Sequence, residues 1–181
     1  LISGAAPIAV ENLEFFTGLG LLIGEVYGQS EDCGPTAISL PGFIRLGAAG
    51  KTLPGMQVRI AEDGEILVKG PNVFRGYRGR PEATAETLQD GWLHSGDLGR
   101  IDEDGFIYVT GRKKDLLITS GGKNISPGNI EADLMNLHLV EHAVVVGDSR
   151  HYLSAQLTLK TDVLQSFAQQ HNLPGTLEQW R

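Results

Sequence analysis

Glycine constrains this chain more than any other residue type. It occupies 24 of 181 positions, about 13% against a usual ~7%. No Gly-X-Y period runs through the sequence, so a collagen-like triple helix is excluded, and regular apolar runs exclude a disordered chain. In a globular chain, that excess means many tight turns, or backbone that approaches a ligand closely. The length allows one full domain or two partial ones. Twenty-two acids against 15 bases leave a net charge of −7, which argues against a nucleic-acid or anionic-membrane surface outside a local basic patch. The single Cys33 cannot pair internally, which fits a reducing, cytoplasmic setting. No 18-residue apolar run or signal-like segment occurs, so any membrane contact is expected to be peripheral. A first residue of Leu1 rather than Met reads as a fragment.

Periodicity predicts a mixed α+β chain in three parts. Residues 1–34 read as strand, helix, strand, the end of an α/β sheet layer. Pro7 suits the helix start and Gly18 its stop, with Ile8, Leu13 and Phe16 on one face, and residues 21–27 read as a short buried strand. Residues 35–112 are β-rich. Val58, Ile60, Ile66 and Val68 alternate around Glu62-Asp63-Gly64, and a second hairpin turns at Asp104-Gly105. A short helix over 81–88 lies between them, and a small β-barrel or twisted sheet would absorb the strands. Residues 113–181 read as an incomplete α+β domain. It has a short strand broken at Gly121-Gly122, a helix capped by Ser126-Pro127, strands at 143–146 and 153–159, and a last helix capped by Thr161 or Asp162. Val163, Leu164, Phe167 and Ala168 form the apolar face of that last helix.

Two phosphate-like patterns fail. Gly18-x-Gly20-x-x-x-Gly24 misses the dinucleotide fingerprint and leads into a strand, and Ser120-Gly121-Gly122-Lys123-Asn124 lacks the first glycine of a P-loop. His138 and His142 have no third metal ligand at useful spacing, and Cys33 has no base beside it. Three segments carry chemistry. Tyr27-Gly28-Gln29-Ser30-Glu31 ends a strand, where open α/β sheets bind ligands; its ring, hydroxyl and carboxylate could stack a base, touch a phosphate and hold Mg²⁺. The 91–99 segment, GWLHSGDLG, sets Asp97 between glycines, where a carboxylate can accept both hydroxyls of a ribose. Gly111-Arg112-Lys113-Lys114-Asp115 supplies a guanidinium for ribose or phosphate oxygens. Taken alone, each also reads as an ordinary turn or linker.

In order along the chain, LISGAAP, YGQSE, GEILVKGPNVFRGY, GWLHSGDLG, GRKKDLLITSGGKNISPGNIE and VVVGDSRHYLSAQL resemble the adenylate-forming superfamily, and most of all its long-chain fatty-acid–CoA ligases. The resemblance implies activation of a carboxylic acid with ATP to an acyl-adenylate, then displacement of AMP by the thiol of CoA. It implies that Gly4, Ala5 and Ala6 line the adenine site and that Tyr27 stacks on adenine. Ser30, where many members carry Thr, would contact the α-phosphate; Glu31 would coordinate Mg²⁺; Asp97, with Arg112, would hold the ribose. Asp115 matches the hinge of a rotating C-terminal domain, whose Gly121-Gly122-Lys123 loop opens a passage for the pantetheine of CoA. Glu131 reads as structural.

The family's Ser/Thr/Gly-rich phosphate loop belongs upstream of these segments and its catalytic lysine downstream; neither Lys160 nor Arg181 sits in that lysine's motif. The chain by itself is therefore expected not to form acyl-adenylate. Partners implied are a fatty acid, ATP, CoA and the N-terminal domain of the same protein, with no nucleic acid. An uncovered edge in residues 1–30 would favour a homodimer. Two neighbouring readings stay open, a fatty-acyl-AMP ligase and an adenylation domain that loads a carrier protein, although the GGKN loop leans toward CoA. A stand-alone binding module without catalysis is the reading from another class.

Overall fold

The computed structural model describes residues 1–4, 8–173 and 175, and the chain divides into two compact units, Leu1–Lys114 and Asp115–Arg181. The first unit begins with strand β1 (Ile2–Gly4), helix α1 (Val10–Gly18) and strand β2 (Gly24–Gln29), which runs parallel to β1. Leu13 is the buried residue of α1. The helix start expected at Pro7 lies outside the described residues; the helical segment begins at Val10, after Ala9. The helix ends at Gly18, as expected, with Leu19 as its cap and Gly20 just beyond it. Gly20 takes φ +78, its N–H bonds the Thr17 carbonyl, and the Leu21 N–H reaches back to the Phe16 carbonyl. These two bonds satisfy the last helical carbonyls, and only glycine adopts that backbone without strain. Leu21 is thereby held against the helix end, and Leu21 and Leu22 are left 46% and 50% exposed. For that reason the strand starts at Gly24, three residues later than its apolar run implies.

Strand β2 pairs antiparallel with β3 (Gly34–Ile38), and β3 with β4 (Lys51–Thr52), giving the order β1-β2-β3-β4. A second sheet holds β5 (Gln57–Ile60), β6 (Glu65–Lys69), β7 (Leu88–Gln89), β8 (Trp92–Ile101) and β9 (Ile107–Arg112), with helix α2 (Pro81–Thr87) before β7. Both predicted hairpins are present, with Ile60 opposite Ile66 and Ile101 opposite Ile107. At the second tip, the Asp102 carboxylate accepts the N–H groups of Asp104 and Phe106, which fastens the turn. Strand β8 is the axis of the sheet: Leu93 pairs with both Val68 and Leu88, and Leu98 with both Glu65 and Gly111. The strands form an open sheet, and the described residues close no barrel. The edge of β9 is instead taken by residues 49–50, through Ala49 N–H to the Ile107 carbonyl and Ile107 N–H to the Gly50 carbonyl. That bridge joins the two sheets over one core of Tyr27, Ala37 and Ala49 with Ile66, Val68, Leu93 and Ile107.

Two buried acids fasten this unit. Asp32, with 0% exposure, closes the turn Ser30–Asp32 after β2: its Oδ1 accepts the Gln29 N–H at 2.8 Å and its Oδ2 the Thr36 hydroxyl at 2.5 Å. Glu65 on β6 is equally enclosed. Its Oε1 accepts the Gly96 N–H at 2.9 Å; its Oε2 takes His94 Nδ1 at 3.1 Å and Lys113 Nζ at 3.0 Å. Lys113 also reaches Asp63 at 2.6 Å. Burial pushes the Glu65 carboxyl up, but the Lys113, Gly96 and His94 contacts outweigh it and hold the group below its ordinary 4.5.

In the second unit, β10 (Leu117–Ile118) and β11 (Asn124–Ile125) form a small antiparallel pair. Helix α3 (Pro127–Met135) follows, with Pro127 in its first turn and Ser126 in extended backbone before it, although the Ser126 side chain makes no capping bond. Strands β12 (Val140–Val146) and β13 (Ser154–Leu159) pair antiparallel. Glu131 fastens α3 to β12 by accepting the Val145 N–H at 2.8 Å. Helix α4 (Thr161–Gln170) buries Leu164 and Ala168, two of its four expected face residues. Its cap is Lys160, just ahead of the Thr161 or Asp162 expected, because the Lys160 carbonyl already accepts the Leu164 N–H.

Asp32→Ala leaves the partly buried Gln29 N–H and the buried Thr36 hydroxyl without their acceptor and is expected to cost about 3 kcal/mol, read from urea unfolding. The lowered Glu65 group contributes stability that is fully present above 4.5 and is lost as pH falls through its lowered value. The stability gap between the native protein and Glu65→Gln, wide at neutral pH, is therefore expected to narrow on acidification. Urea midpoints at several pH values check this; a constant gap contradicts it.

Candidate functional site

The three segments singled out above converge through one buried carboxylate. Asp97 lies midway along β8, 6% exposed, and faces Arg112 across the β8–β9 ladder. Its Oδ1 meets Arg112 Nε at 3.1 Å. Its Oδ2 accepts the Tyr27 hydroxyl at 3.0 Å, from a residue 70 positions earlier. The Ser95 hydroxyl steadies the same turn, accepting the Asp97 N–H at 3.0 Å and donating to the Ile66 carbonyl at 2.6 Å. Burial, with the Asp97 carboxylate beside it, pushes the Tyr27 phenol above its usual range, so this hydroxyl stays a donor. Each carboxylate oxygen accepts two hydrogen bonds, so Asp97 keeps capacity for further hydroxyls.

Beside this chain of contacts lies a polar cleft of about 610 Å³. Ser30, Glu31, Tyr77, His94 and Arg112 are among its lining residues, with Glu65. Buried Asp32 closes the turn that presents Ser30 and Glu31. Glu31 is half-buried, and its Oε1 accepts the Tyr77 hydroxyl at 2.7 Å; the Glu31 carboxylate pushes the Tyr77 phenol up. Among the described residues no group of three or more His, Cys, Asp or Glu side chains could hold a metal by itself. A cation at Glu31 would thus complete its shell with phosphate oxygens and water, the usual Mg²⁺ arrangement.

Tyr77, His94, Glu65 and Asp32 were not singled out from the sequence. Tyr77 stands 46 positions from Glu31, within the GPNVFRGY stretch, and its only sequence signal was membership of that resemblance. Gly4 ends β1 opposite Val26, and a Cβ there would collide with the Val26 side chain; Ala5 and Ala6 lie outside the described residues. In the second unit, Gly121, Gly122 and Lys123 form the turn between β10 and β11. Gly122 takes φ +77 with open space where a Cβ would stand, and Lys123 N–H bonds Thr119 Oγ1 at 3.1 Å. Asp115 is exposed and is the first residue of that unit.

Residues 1–78 match the family model described as AMP-binding enzyme, and residues 114–173 match the AMP-binding enzyme C-terminal domain. A long-chain fatty-acid–CoA ligase of Mycobacterium bovis is 43% identical over 171 residues, 94% of this chain and 28% of that protein. A putative fatty-acid–CoA ligase of Mycobacterium tuberculosis is 49% identical over 178 residues, 97% of this chain and 31% of that protein. The chain thus spans less than a third of these curated relatives. Among solved structures, an o-succinylbenzoate–CoA synthetase of Bacillus subtilis with ATP and magnesium ion superposes with a TM-score of 0.78 at 34% identity, covering 93% of this chain and 39% of that one. From the matches to both parts of the family, at either side of the Asp97 strand, the chain belongs to the AMP-binding enzymes.

Proposed function

We propose that this chain is the distal part of a long-chain fatty-acid–CoA ligase. In the first half-reaction a carboxylate oxygen of the acid attacks the α-phosphorus of ATP and pyrophosphate leaves. In the second, the CoA thiol attacks the acyl carbon of the adenylate and AMP leaves, since AMP is a far better leaving group than oxide. The observation that carries this reading is the Tyr27–Asp97–Arg112 chain of contacts at the edge of a cleft that Ser30 and Glu31 also line. It is supported by similarity to fatty-acid–CoA ligases over nearly the whole chain.

Each residue has a task suited to its chemistry. Asp97 accepts the ribose hydroxyls, and Arg112, 54% exposed, adds a guanidinium to the same sugar or its phosphate. The Tyr27 ring, beside Asp97, flanks the adenine, and Gly4, with Ala5 and Ala6, leaves room for the base. Ser30 donates to an α-phosphate oxygen. Glu31 would hold Mg²⁺, which when bound would supply positive charge against the phosphates. In the second unit, the Gly121-Gly122 turn, whose side faces open space at Gly122, forms the passage for pantetheine, with Lys123 beside it. Asp115 is the hinge, a role supported by the division of the chain between Lys114 and Asp115. No helix among the described residues is long and apolar enough to cross a membrane; we propose a cytoplasmic enzyme.

The intact ligase is expected to convert palmitate, ATP and CoA to thioester, AMP and pyrophosphate. Accumulation of acyl-adenylate with CoA present would instead identify an acyl-AMP ligase. Asp97→Asn is expected to weaken ATP binding by about 10- to 100-fold, the worth of a hydrogen bond to a charged group, measured by calorimetry. Equal affinity of the two proteins would remove Asp97 from the nucleotide site.

A further inference from the structure

Tyr77 lines the cleft without a task in the mechanism above, and its surroundings are built around Glu31. The loop from residue 70 to residue 80 grips the Ser30–Asp32 turn at three points. Asn72 Nδ2 donates to the Asp32 carbonyl at 2.7 Å, the Phe74 N–H to the Glu31 carbonyl at 2.7 Å, and the Tyr77 hydroxyl to Glu31 Oε1 at 2.7 Å. Backbone and side chain of the same glutamate are thus held from one distant loop.

The tyrosine is itself held. Its N–H donates to Thr84 Oγ1 at 2.9 Å, and that hydroxyl donates to the Arg80 carbonyl at 2.9 Å, tying the loop to the first turns of α2. Its ring stands edge-on to Phe74 with centroids 4.8 Å apart. A half-exposed glutamate has three rotatable bonds and would otherwise sample many rotamers. A phenol anchored at ring, backbone and hydroxyl removes that freedom without adding a charge that would compete with a cation. By taking Oε1 it leaves Oε2 without a hydrogen bond or ion pair among the described residues.

We propose that Tyr77 is a positioning residue: its hydroxyl fixes the Glu31 carboxylate on the cleft so that Oε2 is presented to the divalent cation that accompanies ATP. This rests on the reading of Glu31 as the cation's ligand, and the experiment separates the two. In the intact ligase, ATP affinity is measured by calorimetry with Mg²⁺ and again with the metal chelated; the ratio is the gain that the metal provides. Tyr77→Phe keeps the ring and removes only the hydroxyl. It is expected to reduce that gain by about tenfold, the usual cost of losing a partner that orients a metal ligand, while leaving metal-free ATP affinity and melting temperature unchanged. Glu31→Gln is expected to abolish the gain. A gain that survives Glu31→Gln refutes Glu31 as the ligand, and Tyr77's role falls with it. Loss of the gain in Glu31→Gln but not in Tyr77→Phe refutes the positioning role alone. A Tyr77→Phe protein that also loses metal-free affinity or melting temperature would make the hydroxyl a structural staple and overturn the proposal.

Discussion

A carboxylate taken out of water is tolerated only when its charge and lone pairs are answered, and Asp97 is answered from two directions. Tyr27, on the strand that ends the first sheet's parallel pair, supplies a hydroxyl; Arg112, at the end of the last strand of the second sheet, supplies a guanidinium. The pairing of Asp97 with Arg112 follows from the β8–β9 register. The approach of Tyr27 requires the two sheets to share one core, which they do through the same tyrosine, Ala49 and Ile107. The geometry of the candidate site and the junction of the sheets are thus one arrangement.

The adjacent acids Glu31 and Asp32 illustrate how backbone geometry assigns opposite tasks to like residues. Asp32 turns inward, fully buried, and uses both oxygens to close the turn after β2. That closure presents Glu31 on the cleft, where a phenol rather than a cation holds it. Glu65 is a third solution: the N–H of Gly96, a histidine and a lysine surround it, so it stays ionised in a buried place and ties β6 to β8 and to the segment beyond β9.

Much of the fold was legible because it is local. Both hairpins are written by alternating apolar residues around Asp-Gly turns, α2 by Pro81 and its helix formers, and the face of α4 by Leu164 and Ala168 at helical spacing. The misreadings have local and distant causes. Leu21 and Leu22 look like a strand, but the turn at Gly20 directs the Leu21 N–H back to the helix, and the strand begins only at Gly24. Of the barrel or twisted sheet expected, the strands form an open sheet, and residues 49–50 meet its β9 edge, a pairing between segments nearly 60 residues apart that no periodicity records. In the site, Tyr27, Ser30, Glu31, Asp97 and Arg112 were legible as residue types in turns, whereas Tyr77, His94 and Glu65 were not, since each reads as an ordinary strand or loop position.

The sequence by itself determined the family and the chemical inventory: an aromatic, a hydroxyl and a carboxylate at one strand end, an acid between glycines, and a guanidinium at the end of a hairpin. Short motifs carry that information because they encode turns and donors within a few residues. Only the tertiary structure decided which groups meet. The link from Tyr27 to Asp97 spans 70 positions and that from Tyr77 to Glu31 spans 46. Hydrogen-bond geometry across such distances depends on strand register and on two sheets sharing a core, neither of which is a property of any local stretch of chain.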